Sequence, residues 1–499
     1  MKDVFEVIGI IVPIILAIVK REEIWKAVKK IPDLWDKFVS TIDFPRRRLA
    51  RRMNSEDFLA WQDRVLLKIY GENHFVDTLN RKYPVFCVDF NQDHIGAEQV
   101  DSLCRDDKGE LLLNSEGRDV VLPDIFDTEI MKKGVSKDGL EAEAELSLKK
   151  ELMGSGRWWK GYKWFTARSM RDGNHIGFVL DRLEMDGDKI KRIHLAVGSY
   201  KLTLLTSHIL TYELFKAYEK LKKSGHDVDN MDIDTLWPMI PFRRYIHHVN
   251  GNSIDRVLYT GLGRYALLSV QCLVMLCTDV HNHVPEYKTF LLKRSDSTRD
   301  VSTKLGCYQF PPSGGFDLYD EKKHRELDAV RSNCSLYLAL MREYLEEILN
   351  KKEYTEVEDV NGAFQRVRND PHTVQFEKMF ESDLDERSRA RAGFKPGTKQ
   401  AYFTTVGANI DLIDLRLSVN FLLVVNDIQY VKDNAEKFTP NEEYGWRLCK
   451  KKKRMLRSWD YVEEKLNGRR KIVEDSVALY IQGKKAFEKY INSIRTEKI

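Results

Sequence analysis

Cysteine is scarce and unpatterned in this sequence. Cys87, Cys104, Cys272, Cys277, Cys307, Cys334 and Cys449 are spread over 499 residues. No two stand two residues apart, so a zinc knuckle is excluded, and an odd number argues against a disulfide framework. The bulk of the chain therefore reads as belonging to a reducing compartment. An excess of one charge is missing too. Lys and Arg total 81 against 77 Asp and Glu, and a net charge of +4 gives no global reason to expect DNA or RNA as a partner. Internal repeats and low-complexity tracts are absent, and only one long apolar run occurs.

That run is "VFEVIGIIVPIILAIV", residues 4–19, with Glu6 as its single charge. Without a positive start or a small-residue cleavage site it reads as an uncleaved anchor. Lys20, Arg21, Lys26, Lys29 and Lys30 follow it, which places the downstream domains on the cytoplasmic side. The expectation is a single-pass membrane protein, inserted through residues 4–19. A buried helix of a soluble fold is the alternative reading. Residues 22–70 then read as amphipathic juxtamembrane helices, the last opening at Asn54-Ser55-Glu56-Asp57 and running over 54–80.

What remains is ordinary globular material, 42% hydrophobic and 32% charged, enough for two or more cores. Strands are expected at "PVFCVDF" (84–90), in a hairpin over 109–122, and in a second hairpin over 174–201 around Asp186-Gly187-Asp188. A helix is expected over 135–153 and another over 207–223. Between them "GSGRWWKGYKWF" (154–165) interleaves aromatic and basic residues and reads mainly as packing. The polar stretch 225–256 is the expected boundary between an α+β domain (71–255), for which no role is assigned, and a second α/β domain (256–470). A C-terminal helix is expected over 471–499. The second domain opens with an apolar strand at 267–280, and the loop "HNHVPEY" leads to a strand at 288–295. His281 and His283 read as loop surface. Long strands are expected over 401–426. The segment "DERSRARAGFKPGTK" (385–399) reads as a basic mobile loop, and Lys450 to Arg454 as a solvated basic cluster.

The stretch that carries chemistry is "MREYLEEIL" (341–349). Glu343, Glu346 and Glu347 stand at i, i+3 and i+4, so a helix puts their carboxylates on one face, with Arg342 close by. Three like charges repel unless a cation or a solvated surface relieves them, and hard divalent cations take oxygen ligands. Upstream, "FPPSGGFDLYDE" (310–321) supplies a proline-glycine turn.

Together these stretches resemble the box of the Nudix hydrolase superfamily. Gly315 and Glu321 match its first half, and Arg342, Glu343, Glu346 and Glu347 its second half. Twenty residues separate Glu321 from Arg342, against seven in the family pattern, and Leu349 and Asn350 stand near the place of the usual closing glycine. The resemblance implies a mixed-sheet α/β/α sandwich over 256–470. It implies Mg²⁺ or Mn²⁺ held by Glu343, Glu346, Glu347 and Glu321, with Glu346, Glu347, Glu343 and Arg342 in the catalytic machinery. Gly314, Gly315 and Arg294 would contact a substrate that is a nucleotide or nucleoside diphosphate derivative. The implied reaction is hydrolysis of a pyrophosphate by water. An apolar N-terminal segment joined to such a domain is similar to membrane effectors of bacterial antiphage signalling. That similarity implies nucleotide sensing as the alternative function, and a homo-oligomer as a further partner.

Overall fold

The computed structural model describes residues 44–78, 81–114, 176–228, 232–294, 306–318, 334–351, 360–440, 455–467 and 472–496, together with Tyr162, Trp164, Thr166, Lys304 and Tyr444. The chain divides into two compact units, residues 1–52 and 53–499. In the first, the described segment is the arginine-rich start of the helix Phe44–Met53. The architecture below belongs to the second.

Its elements, in chain order, begin with α1 (Glu56–Tyr70), β1 (Val85–Val88), the hairpin β2 (Ile176–Asp186) and β3 (Lys189–Ser199), and α2 (Ile209–Lys223). They continue with β4 (Ser269–His281), β5 (Val284–Phe290), β6 (Ser313–Gly315), α3 (Leu336–Glu347), α4 (Pro371–Glu381) and α5 (Glu386–Ala392). Strands β7 (Ala401–Asp411), β8 (Leu417–Val425) and β9 (Leu456–Arg457) and the helix α6 (Glu474–Ile494) follow.

The main sheet runs β9-β5-β4-β8-β7-β1, with β6 added to the edge of β4 that β5 leaves uncovered. Only the central pair, β4 and β8, is parallel; the other pairings are antiparallel. Central strands buried on both faces read as continuous apolar runs. Every residue of β8 is buried, as is β4 from Ser269 to Cys277. Successive residues of β7 show what covers each face. Tyr402 stacks on Tyr490 of α6 at 4.0 Å between ring centroids, while Phe403 packs against Tyr337 of α3 and Phe380 of α4 at 5.6 and 5.9 Å. Helices thus lie on both sides of a mixed sheet. Gly483 brings α6 close to its face, since a Cβ there would stand 2.6 Å from Leu273 Cδ2.

A buried amide network crosses this sheet. Gln271 Nε2 donates to Asn409 Oδ1 at 3.0 Å, to Asn420 Oδ1 at 2.7 Å and to the Asp475 carbonyl at 2.9 Å. Asn409 in turn donates to the Asp475 carboxylate at 2.8 Å, and Arg416 holds its other oxygen at 3.1 Å. Such groups are tolerated in a core where they partner one another, as the Gln271 and Asn409 amide nitrogens do here. They tie α6 to the register of β4, β7 and β8.

Several expectations change. The single-pass membrane localisation is corrected: among the described residues no helix is long and apolar enough to cross a membrane. The longest described helix of the second unit, α6, has 21 residues but includes Glu474, Asp475, Lys484, Lys485, Glu488 and Lys489. The apolar run 4–19 itself lies outside the described residues, as do 135–153 and the cluster 450–454. The helix expected over 54–80 ends at Tyr70, because Gly71 takes φ 81° and returns its N–H to Leu67 at 2.9 Å. The basic segment 385–399 is not simply a loop. It contains α5, opened by the Asp385 side chain accepting from the Ser388 N–H and closed by Gly393 in the left-handed region. His281 and His283 do lie at an exposed hairpin turn between β4 and β5.

Candidate functional site

Helix α3 starts where two oxygens meet its first N–H groups. Ser335 Oγ accepts from Leu338 N, and Asp101 Oδ1 accepts from Leu336 N at 2.7 Å. These satisfy donors that a helix leaves unpaired at its start. All of α3 except Glu346 is buried. The face that a charge-rich composition would suggest is solvated is therefore an interior one, and its charges need partners.

Those partners come from β6, from Tyr444 and from α3 itself. Glu347 accepts the Ser313 backbone N–H on one carboxylate oxygen at 2.7 Å and the Tyr444 hydroxyl on the other at 2.9 Å. Arg342 donates to the Gly315 carbonyl at 3.0 Å and to the neighbouring Glu343 carboxylate. Its Nε lies 4.0 Å from Glu346 Oε1. The Glu343 carboxylate fills the space over Gly314, where a Cβ would come within 2.0 Å of its Cδ. Neither Gly314 nor Gly315 has a positive φ. Gly314 serves close approach of strand and helix, where the sequence suggested a tight turn.

Arg294 joins the same assembly at one remove. Its guanidinium donates to Gln309 Oε1 at 3.0 Å, and Gln309 Nε2 reaches the Ser313 carbonyl at 3.5 Å. Gly314, Gly315, Arg342, Glu343 and Glu347 thus meet directly, Arg294 meets them through Gln309, and Glu346 flanks Arg342. Glu321 lies outside the described residues. Sequence reading missed Tyr444, Gln309 and Ser313. Tyr444 stands 97 positions from its partner, and no local pattern marks it.

A divalent cation needs carboxylate oxygens converging on one point. Both oxygens of Glu347 face protein donors and Glu343 is held by Arg342. Among the described residues no group of three or more His, Cys, Asp or Glu is placed to hold a metal ion. In this arrangement the three glutamates do not fit a shared cation. Glu347, through the Ser313 N–H, and Arg342, through the Gly315 carbonyl, fasten the glycine strand to the helix by charge-assisted hydrogen bonds.

Beyond the start of α3 lies a cavity of about 860 Å³, walled by residues 94–101, the first turn of α3, α4 and the start of β7. Burial holds the Asp101 carboxyl at its edge above the ordinary carboxylate range, opposed by its hydrogen bonds to the helix start. No protein-family model matches the chain, and no curated protein matches it.

Proposed function

We propose that this protein is a nucleotide-binding module built on a Nudix-like frame, which holds a nucleoside diphosphate derivative and is not specialised for its turnover. The ligand class comes from the resemblance of Gly315, Arg342, Glu343, Glu346 and Glu347 to the Nudix box. The preference for binding comes from one observation: Glu347, a metal-ligand position in that resemblance, has both carboxylate oxygens engaged by Ser313 and Tyr444. A carboxylate so committed braces the site and leaves no oxygen without a protein donor for a cation or a water.

Hydrolysis is the rival reading. It is favoured by the contact of Arg342 with Gly315 across 27 positions, which unites the two halves of the box. A thermal-shift screen of the full chain against nucleotides and nucleoside diphosphate sugars, with and without Mg²⁺, separates the readings. Binding raises the unfolding temperature in a concentration-dependent way while chromatography recovers the ligand intact. Cleaved product that vanishes in Glu346→Gln sinks the binding-only reading and supports the rival.

A further inference from the structure

Two cysteines meet beside the start of α3. Cys104 closes the short 3-10 helix Val100–Cys104, and Cys334 is the residue before Ser335, which caps α3. Neither is in a disulfide. Side chains three apart eclipse on a 3-10 helix, so Cys104 shares the face from which Asp101 reaches the Leu336 N–H at 2.7 Å. That bond draws the two segments together, and the Cys104 and Cys334 thiols share a hydrogen bond. Both residues are buried, at 1% and 4% exposure.

Burial, and after it the Cys104 thiol, hold the Cys334 thiol well above its ordinary range. A solitary thiol in that state is inert, because the thiolate is the reactive form. A second thiol already in contact changes the outcome. Once either sulfur is oxidised, its partner stands in place to displace the oxygen without a bimolecular encounter. The 860 Å³ cavity supplies an approach for a small oxidant, since Asp101 and Ser335, which flank the pair, line it. Cys272, equally buried in β4, has no thiol among the groups acting on it, so the chain carries its own comparison.

We infer that Cys104 and Cys334 form a reversible modification site, closed to a disulfide by hydrogen peroxide, which staples the 3-10 helix to the start of α3. The thiolate of one cysteine attacks a peroxide oxygen, giving a sulfenic acid and expelling hydroxide, which takes up the proton that thiol released. The other sulfur then attacks the sulfenic sulfur, and the sulfenic oxygen leaves as water with the second thiol's proton. Two thiols are oxidised by two electrons in all, and one peroxide becomes two waters. A dithiol reductant reverses the step. A transient pair of this kind suits a reducing compartment. Because α3 carries Arg342 to Glu347, the staple acts on the helix that holds the box. The inference does not rest on the nucleotide reading of that box.

The test treats the full chain with hydrogen peroxide at about pH 8, where more thiolate is present, then denatures and alkylates it and maps the peptides by mass spectrometry. A linked Cys104–Cys334 pair is expected, returned to two thiols by dithiothreitol, while Cys272 stays reduced. The unfolding temperature is expected to rise by about 3 °C or more on oxidation, and not to rise in Cys334→Ser treated alike. Recovery of both cysteines as thiols, their separate conversion to sulfinic acids, preferential links to other cysteines, or a formed link that leaves the unfolding temperature unchanged overturns the assignment. Mapping and melting of the unaltered chain, before and after dithiothreitol, decide the matter even if Cys334→Ser fails to fold.

Discussion

Ser313 gives its backbone N–H to Glu347 at 2.7 Å, joining a strand residue to the last turn of a helix 34 positions later. Because the other oxygen of Glu347 takes the Tyr444 hydroxyl, one buried carboxylate fixes three separate segments. Glu347→Ala leaves two buried donors unmatched and is expected to cost roughly 3 kcal/mol. Tyr444→Phe removes one bond and is expected to cost about 1 kcal/mol. Urea unfolding of the full chain checks both. Equal, negligible costs would mean that Glu347 braces nothing.

Gly314 is expected to tolerate no side chain. An added Cβ meets the Glu343 carboxylate at 2.0–2.2 Å, and moving that carboxylate breaks its contact with Arg342. Gly314→Ala is therefore expected to destabilise by about 2 kcal/mol or more. Gly96→Ala is the control, because its Cβ would meet only His94, at 3.7 Å, and is expected to cost under about 0.5 kcal/mol. The difference in unfolding temperature between the two variants is the readout.

His247 makes the fold sensitive to acid. Burial, reinforced by Arg243 and Arg264, holds its imidazole at about 3, against an ordinary 6.5. The unfolded chain takes up this proton near pH 6.5 and the folded chain does not. The stability contributed is thus complete above pH 6.5 and lost as the pH falls toward 3, by on the order of 4 kcal/mol. His247→Gln is expected to flatten the decline in stability between pH 6.5 and 4, measured by urea unfolding at a series of pH values. An unaltered slope would assign the acid sensitivity elsewhere.

The amide network makes a separate prediction. Asn409→Leu deprives the Asp475 carboxylate of the donor it receives at 2.8 Å and removes an acceptor from Gln271. A loss of roughly 3 kcal/mol is expected. Thermal unfolding of this variant that matches the unaltered chain would show that the network is dispensable.

Many of the strands were legible from composition. The runs 267–280 and 401–426 became β4, β7 and β8, and the 174–201 hairpin became β2 and β3, because apolar length and turn residues mark strands locally. The juxtaposition of Gly314 and Gly315 with Arg342, Glu343 and Glu347 was legible only through the box resemblance. Local signals also existed for α5 in Asp385 and Gly393, although the density of arginine obscured them. Other relationships have no local signature. The pairing of β1 with β7 joins residues more than 300 positions apart, and Tyr444 reaches Glu347 from outside any motif. The burial of α3 was hidden by the charge of "REYLEE", since spacing alone does not distinguish a solvated carboxylate from one held by a backbone N–H. The membrane reading rested on apolarity in a segment outside the described residues.

The central claim is that the box glutamates brace a binding site and do not assemble a hydrolytic metal centre. Phosphorus NMR of the full chain with a nucleoside diphosphate sugar such as ADP-ribose, in the presence of Mg²⁺, tests it most directly. The account predicts that the pyrophosphate resonances shift or broaden as protein is added and that no phosphate monoester resonance grows in over a day. Steady growth of a monoester signal that Glu346→Gln abolishes would contradict it.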